Sequence, residues 1–299
     1  MTISHKSSLP AGQTQPDRPG LAAGLYFIAT PIGAARDITL RALDILAAAD
    51  VLAAEDTRTL RHLMEIHGIA LAGRPLVAYH DHNGETARPR LIAALTEGKS
   101  VVYASEAGTP LIADPGYQLV RAAIAANLPL IAAPGPSAVL CALGVAGLPT
   151  DRFLFAGFLP NTATARRRAL TDLRETHATL VFYESPKRLT RSLADMAEVL
   201  GPDRDAAVCR ELTKRFEEVT RGNLGTLAET FASRDVKGEI VILVDRPGLA
   251  IFAPDQVEQA LLRELKVLSV KDAAMEVARR MGLPRRQVYQ LALELEGKS

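Results

Sequence analysis

A chain of 299 residues with 48% hydrophobic and 23% charged side chains is long and apolar enough to bury the cores of one large or two medium domains. Its formal net charge of +1 excludes a protein that coats nucleic acid through bulk positive charge, since such domains are strongly basic. The longest apolar runs, such as SAVLCALGVAGL, are interrupted by Gly and fall short of the roughly 20 residues a membrane-spanning helix needs, so no span is predicted.

Residues 1–23 open with MTISHKSSLPAGQTQPDRPG, polar and rich in Pro and Gly, without the apolar centre of a secretory signal. A flexible tail is expected there. From Leu25 onward, short apolar runs alternate with amphipathic segments: LYFIA with ITLRALDILAAAD, VLAAE with RTLRHLMEI, PLVAY with ETARPRLIAAL, SVVYA with GYQLVRAAIAA, and LPLIAAPG with SAVLCALGVAG. Five such alternations predict an α/β domain over 24–148, with a parallel sheet flanked by helices. After GLPTDRF the pattern changes. FLFAGFL, a basic helix near Arg166 to Glu175, ATLVFYE, RLTRSLADMAEVL, DAAVCRE, FEEVTRG, TLAETFA and GEIVILV predict a second α/β domain over 149–246. Its sheet should be mixed, because several strands lack a helical crossover. The last piece, 255–299, predicts two short helices joined by Gly282-Leu283-Pro284, with Ser269 and Asp272 set as a near-capping box. That spacing suits a helix-turn-helix unit and a plain helical hairpin equally well. Cys141 and Cys209 show no metal-ligand spacing and read as structural thiols of a cytoplasmic protein.

Ligands of open α/β sheets bind beyond the carboxyl ends of the strands, so the loops there are where a site should lie. Three share one character: ATPIGAARD, ASEAGTPLIADPG and APGPSA combine Gly, Pro, Ser and Thr with little bulk. Glycine lets backbone approach a ligand, proline fixes the path, and exposed amides and carbonyls can read a flat polar ring. There is no phosphate-binding G-x-x-x-x-G-K-[ST], no G-x-G-x-x-G after the first strand and no G-x-S-x-G elbow. His80 and His82 make half a metal site without an evident third ligand, so no metal is expected. Glu55, Asp56, Glu184 and Glu211 stand at strand ends, where ion pairs explain them as well as a site role does.

Taken in order, ATPIG…DIT, AAEDTR, HDHN, SEAGTPLIADPG, PGPSA, GLPTDRF…GFLP, FYES, RELTK and KGE closely resemble the bacterial 16S ribosomal RNA (cytidine-2′-O)-methyltransferases of the tetrapyrrole methylase superfamily, over Gly24 to Val244. The resemblance implies an S-adenosylmethionine-dependent enzyme, homodimeric, whose cofactor lies in a cleft between two α/β domains. Its substrate would be 16S ribosomal RNA in the small ribosomal subunit, at a decoding-centre cytidine usually numbered 1402. Carried over by position, Pro31, Gly33, Ser105, Glu106, Ala107, Gly108, Thr109, Leu111, Ser137 and Ala138 would form the cofactor site with Tyr183, Glu184, Arg210, Glu211 and Gly238. Two positions depart from the family pattern: Glu106 stands where Asp is usual, and Ala34 where Asn is usual. Asp56, Asp81 and Glu184 are the candidates for a general base. Arg166, Arg167 and Arg168, with the C-terminal helices, are the candidate RNA contacts. Methylation of a corrin ring, or a cofactor-binding ribosome assembly factor without turnover, are the competing expectations.

Overall fold

A computed structural model describes residues 20–80, 82–113, 115–247, 254–281, 283 and 285–296. By packing, the chain divides into two compact units: the first runs to Cys141 and takes in Glu211–Glu217, and the second comprises Ala142–Arg210 and Glu218 onward.

The first unit holds five strands, β1 (Gly24–Ile28), β2 (Val51–Ala54), β3 (Leu76–Ala78), β4 (Ser100–Ala104) and β5 (Leu130–Ala133), ordered β3-β2-β4-β1-β5. Every pairing is parallel. Helices α1 (Leu40–Ala48), α2 (Thr57–Ile66), α3 (Gly84–Thr96), α4 (Tyr117–Ala125) and α5 (Ala138–Ala146) follow the strands in turn. Alternate residues of each strand feed opposite layers. Val102 and Ala104 pack with Ile28, Ile45, Leu46, Leu52 and Met64. Val101 and Tyr103 pack with Leu25, Leu91, Leu95 and Leu119. Two buried faces are why β1, β2 and β4 read as continuous apolar runs. Each large side chain removed from water contributes about 1.5–3 kcal/mol. The strand starts are tied by Asp50, whose Oδ2 accepts from the Ser100 N–H (2.8 Å) and hydroxyl (2.7 Å).

The second unit builds a sheet ordered β6-β7-β10-β8-β9 from β6 (Phe153–Phe158), β7 (Thr179–Glu184), β8 (Asp205–Arg210), β9 (Glu218–Asn223) and β10 (Ile240–Val244). Only β6 and β7 run parallel, joined through α6 (Ala163–Leu173); β10 is antiparallel to β7 and β8, and β8 to β9. The expected mixed sheet is what forms. With α7 (Pro186–Leu200) and α8 (Leu224–Ala232), it buries Phe182, Leu189, Met196, Phe231 and Ile242.

Three C-terminal helices, α9 (Pro254–Glu264), α10 (Val270–Met281) and α11 (Arg285–Glu296), share a small core around Leu261, Val277, Val288 and Ala292. The Ser269 hydroxyl caps α10, accepting from the Asp272 N–H (3.2 Å) and donating to its carboxylate (2.6 Å). Helix α9 adds to the two helices read from the sequence.

The observed division, within α5 at Cys141, differs from the sequence boundary near Leu148 to Arg152. The seven-residue loop Glu211–Glu217 also joins the first unit, although it leaves a strand of the second. Sequence continuity cannot report such a return.

Candidate active site

At the carboxyl edge of the first sheet the three Gly/Pro loops brace one another. Thr30 and Gly108 exchange two backbone hydrogen bonds of 2.9 Å, and the Thr30 hydroxyl donates to the Ser105 carbonyl (3.2 Å). The buried Ser105 hydroxyl donates to the Gly108 carbonyl (2.6 Å), and the Thr109 hydroxyl reaches the Pro136 carbonyl (2.8 Å). Gly108 has φ +82°, and a Cβ there would press on Ile32 Cγ2 at 3.3 Å. A Cβ on Gly135 would sit 2.8 Å from the Ala29 Cβ. Glycine is required at Gly108 by backbone angle and at Gly135 by close approach. Leu111 (φ 72°) and Ala113 (φ 59°) hold left-handed backbone that β-carbon residues rarely adopt. Such outliers persist where surrounding contacts over-determine the chain, and they gather at ligand sites.

The Glu211–Glu217 loop clamps the first of these loops. The Ala34 N–H donates to Thr213 Oγ1 (3.2 Å), and the Thr213 N–H donates to the Glu217 carboxylate (2.6 Å). A Cβ on Gly33 would fall 2.5 Å from Lys214 Cγ and 2.6 Å from Thr213 Oγ1, so only glycine leaves room for the clamp. Glu211 and Thr213 carry φ of 52° and 64°. Thr213 and Lys214 stand in the RELTKR stretch, yet no sequence signal tied them to Gly33.

Pro31, Gly33, Ser105, Glu106, Ala107, Gly108, Thr109, Leu111, Ser137, Ala138 and Glu211 thus all lie in the first unit. Glu106 and Ala107 are exposed, between buried Ser105 and Gly108. A braced loop of this kind, with little bulk and exposed backbone, is the type of surface that reads a cofactor's polar atoms by hydrogen bonds. The Glu106 side chain is exposed, so its extra methylene meets no steric limit, and Ala34 engages the clamp through its backbone.

In the second unit, register brings Glu184, Arg210 and Gly238 to one sheet edge: Ile240 of β10 pairs with Glu184 on one side and Arg210 on the other. Arg210 is paired with Glu218 (3.1 Å) and donates to the Lys237 carbonyl (3.3 Å). Tyr183 packs edge-on against Phe155 and Phe158, with centroids 4.8 and 5.6 Å away. Gly238 has φ 95°.

The base candidates fare differently. Asp56 caps α2: its carboxylate accepts from the Arg58 N–H (2.8 Å) and from the Arg58 guanidinium (2.8 and 3.2 Å). Those bonds lower its pKa to about 2, far from a catalytic base that works near neutrality. Glu184 is 3% exposed. One of its oxygens accepts from the Ser185 N–H (2.8 Å) and lies 3.2 Å from Arg188 Nε, while the other accepts from the Ser192 hydroxyl. It anchors the start of α7 and offers no oxygen to a substrate. Neither Asp56 nor Glu184 fits the role of base, and Asp81 lies outside the described residues.

The arginine run is likewise not a uniform RNA surface. Arg166 is buried, 4% exposed, with its guanidinium on the Asp195 carboxylate at 2.6 Å. Arg167 binds Asp195 (2.7 Å) and Glu198 (2.9 Å). Arg166 therefore cannot contact RNA from this position, and Arg167 could do so only by giving up two carboxylates. Arg168 is exposed.

The family model of the tetrapyrrole (corrin/porphyrin) methylases matches residues 24–228. The chain belongs to the tetrapyrrole methylase family. Its members are S-adenosylmethionine-dependent methyltransferases, and S-adenosylmethionine is the cofactor of this enzyme. The RsmI C-terminal HTH domain model matches residues 252–296, over α9 to α11. A relative from Mesorhizobium japonicum, ribosomal RNA small subunit methyltransferase I, is 48% identical over 290 residues, covering 96% of this chain and 97% of that protein. Among solved structures, the methyltransferase CobJ superimposes with a TM-score of 0.58 at 20% identity, over 78% of this chain and 98% of its own. Uroporphyrin-III C-methyltransferase from Thermus thermophilus, complexed with S-adenosylhomocysteine, gives 0.51 at 19% identity, over 74% and 96%. At such identities these two likenesses bear on the fold of this tetrapyrrole methylase alone.

Proposed function

We propose that this tetrapyrrole methylase methylates the small-subunit ribosomal RNA, at the ribose 2′-hydroxyl of the decoding-centre cytidine numbered 1402. The observation that carries the reading is the near-full-length likeness to ribosomal RNA small subunit methyltransferase I, down to the C-terminal helical unit. S-adenosylmethionine supplies a sulfonium-activated methyl group, transferred by in-line displacement to the incoming oxygen. The braced loops supply alignment. Holding two reactants in a near-attack geometry is worth up to about 7–11 kcal/mol in intramolecular systems, more than a general base adds at about 10²–10⁴-fold. With Asp56 and Glu184 committed elsewhere, positioning by Ser105 to Leu111 is the main contribution of this chain. The sulfonium charge disperses in the transition state, so a ring of carboxylates around it would favour the ground state.

The modest net charge suits a substrate that is a folded particle, recognised by shape and a few phosphate contacts. The reading includes a homodimer, for which the exposed Phe153 and Phe158 of edge strand β6 are candidate interface residues. The test is methyl transfer from S-adenosylmethionine to small ribosomal subunits lacking the modification, with the product nucleoside mapped by mass spectrometry. We expect 2′-O-methylcytidine at a single position. Cofactor binding without transfer would overturn the reading in favour of an assembly factor, and sedimentation settles the dimer.

A further inference from the structure

Away from the cofactor loops, the first unit carries a basic pocket whose lining the reaction does not use. Arg88, Tyr117, Gln118, Arg121 and Ala122 enclose a shallow surface depression of about 410 Å³ between α3 and α4. Both helices begin at the carboxyl edge of the sheet, and each arginine is the fifth residue of its helix, where the second turn begins. Tyr117 directly follows Pro115 and Gly116, where the Tyr103 hydroxyl donates to the Pro115 carbonyl (3.0 Å). The pocket therefore adjoins the loop edge that holds the cofactor.

Its chemistry is that of an anion site on an open surface. Among the described residues, no carboxylate pairs with Arg88 or Arg121, so neither guanidinium is neutralised by a neighbour. Glu85 lies one turn before Arg88 on α3 without forming an ion pair with it. Arg121 is oriented by the Tyr117 hydroxyl at 3.4 Å. Tyr117 is 60% exposed. Two guanidiniums beside two helix N-termini favour phosphate, because Arg donors match its oxygens in pairs and the helix dipoles add positive potential. An exposed ring beside them is the arrangement on which single-stranded bases stack.

From this juxtaposition we propose that the α3–α4 pocket is a docking site for the ribosomal RNA strand, with Arg88 and Arg121 on its phosphodiesters and Tyr117 under a base, an inference that rests on the ribosomal-RNA reading above. It would anchor the strand next to the reacting ribose and contribute to substrate binding rather than to chemistry.

The test compares wild type, Arg88→Ala/Arg121→Ala, Arg121→Ala alone and Tyr117→Ala. Affinity for unmodified small subunits is measured across a salt series, with S-adenosylmethionine affinity by calorimetry, methyl transfer in parallel, and sedimentation and circular dichroism for assembly and fold. Arg121→Ala, at an exposed position, guards against misfolding of the double variant. For the double variant we expect subunit binding weaker by roughly 10- to 100-fold, as for lost charge-assisted hydrogen bonds. The salt slope should fall by about 1.4, from ~0.7 per lost phosphate contact on single strands. Cofactor affinity and kcat at saturating subunits should stay the same while KM rises. Unchanged subunit affinity and slope overturn the proposal, as does a loss confined to self-association, which assigns the pocket to a second copy of the chain. If wild type binds subunits but transfers no methyl, the reaction reading fails while the binding comparison still decides the pocket; if it does not bind subunits, both fall.

Discussion

Replacing Asp195 with Ala tests the reassignment of the arginine run most directly. The Asp195 carboxylate is 6% exposed and holds the Arg166 guanidinium, itself 4% exposed, at 2.6 Å, with Arg167 at 2.7 Å. Without it, Arg166 keeps only the carbonyls of Asn161 (3.2 Å) and, at 3.5 Å, Pro160. Removing one partner of a buried pair leaves the other charge uncompensated and costs about 3–5 kcal/mol. At ~2–4 °C per kcal/mol, the melting transition of the second unit should fall by roughly 6–20 °C. The chain has no Trp, so calorimetry and far-UV circular dichroism are the suitable readouts. The apolar double replacement Arg166→Met/Asp195→Leu should recover most of the loss, because well-packed apolar side chains can replace a buried ion pair at little cost. Burial pushes the Asp195 carboxyl pKa up, but hydrogen bonds from Arg167 and Arg166 outweigh it and hold the pKa below its usual 3.8. The unfolded chain then binds more protons at acid pH. The stabilisation is complete above about pH 4 and disappears as pH falls through the folded-state pKa, so the gap between wild type and Asp195→Ala should narrow there. A loss under about 1 kcal/mol at neutral pH, or a gap that widens in acid, would refute the argument.

Gly33→Ala should force the Glu211–Glu217 loop away, because its Cβ would lie 2.5 Å from Lys214 Cγ and 2.6 Å from Thr213 Oγ1. Overpacking of about 1–3 kcal/mol is expected, with S-adenosylmethionine affinity reduced ~10-fold by calorimetry; unaltered affinity and melting would remove the clamp from the site. Asp56→Asn keeps a capping oxygen while discarding the charge, so the pH–rate profile between pH 6 and 9 should not change, as follows for a carboxyl already ionised with a pKa of about 2. A fall of ~10²-fold in kcat would return Asp56 to candidacy as base. Glu184→Gln should lower the melting temperature by weakening the Arg188 and Ser192 contacts, at about 1–3 kcal/mol, and leave the shape of the pH profile intact. Loss of the acidic limb of that profile, where a base becomes protonated and the rate falls, would instead mark Glu184 as the proton acceptor.

The alternating apolar and amphipathic segments from Leu25 to Val244 determined two α/β units, because helix and strand periods are local properties that a buried face imposes on neighbouring residues. The strand-end loops were legible for the same reason: Gly108 and Gly135 are required by backbone angle and close approach, and both constraints are written in residue type. What the sequence left open was which distant group each polar side chain meets. Arg166, Arg167 and Arg168 read alike, yet helix phase turns Arg166 onto Asp195, 29 residues away, and leaves Arg168 in water. For Glu184 and Asp56 the sequence left a site role and an ion pair equally open, and Ser192, Arg188 and Arg58 are the partners that hold them. The return of Glu211–Glu217 to Gly33, and the sharing of one pocket by Arg88 and Arg121, join segments whose separation along the chain carries no periodic signal. Local period decides which element forms, whereas the partner of a buried charge is chosen only when packing places two elements side by side.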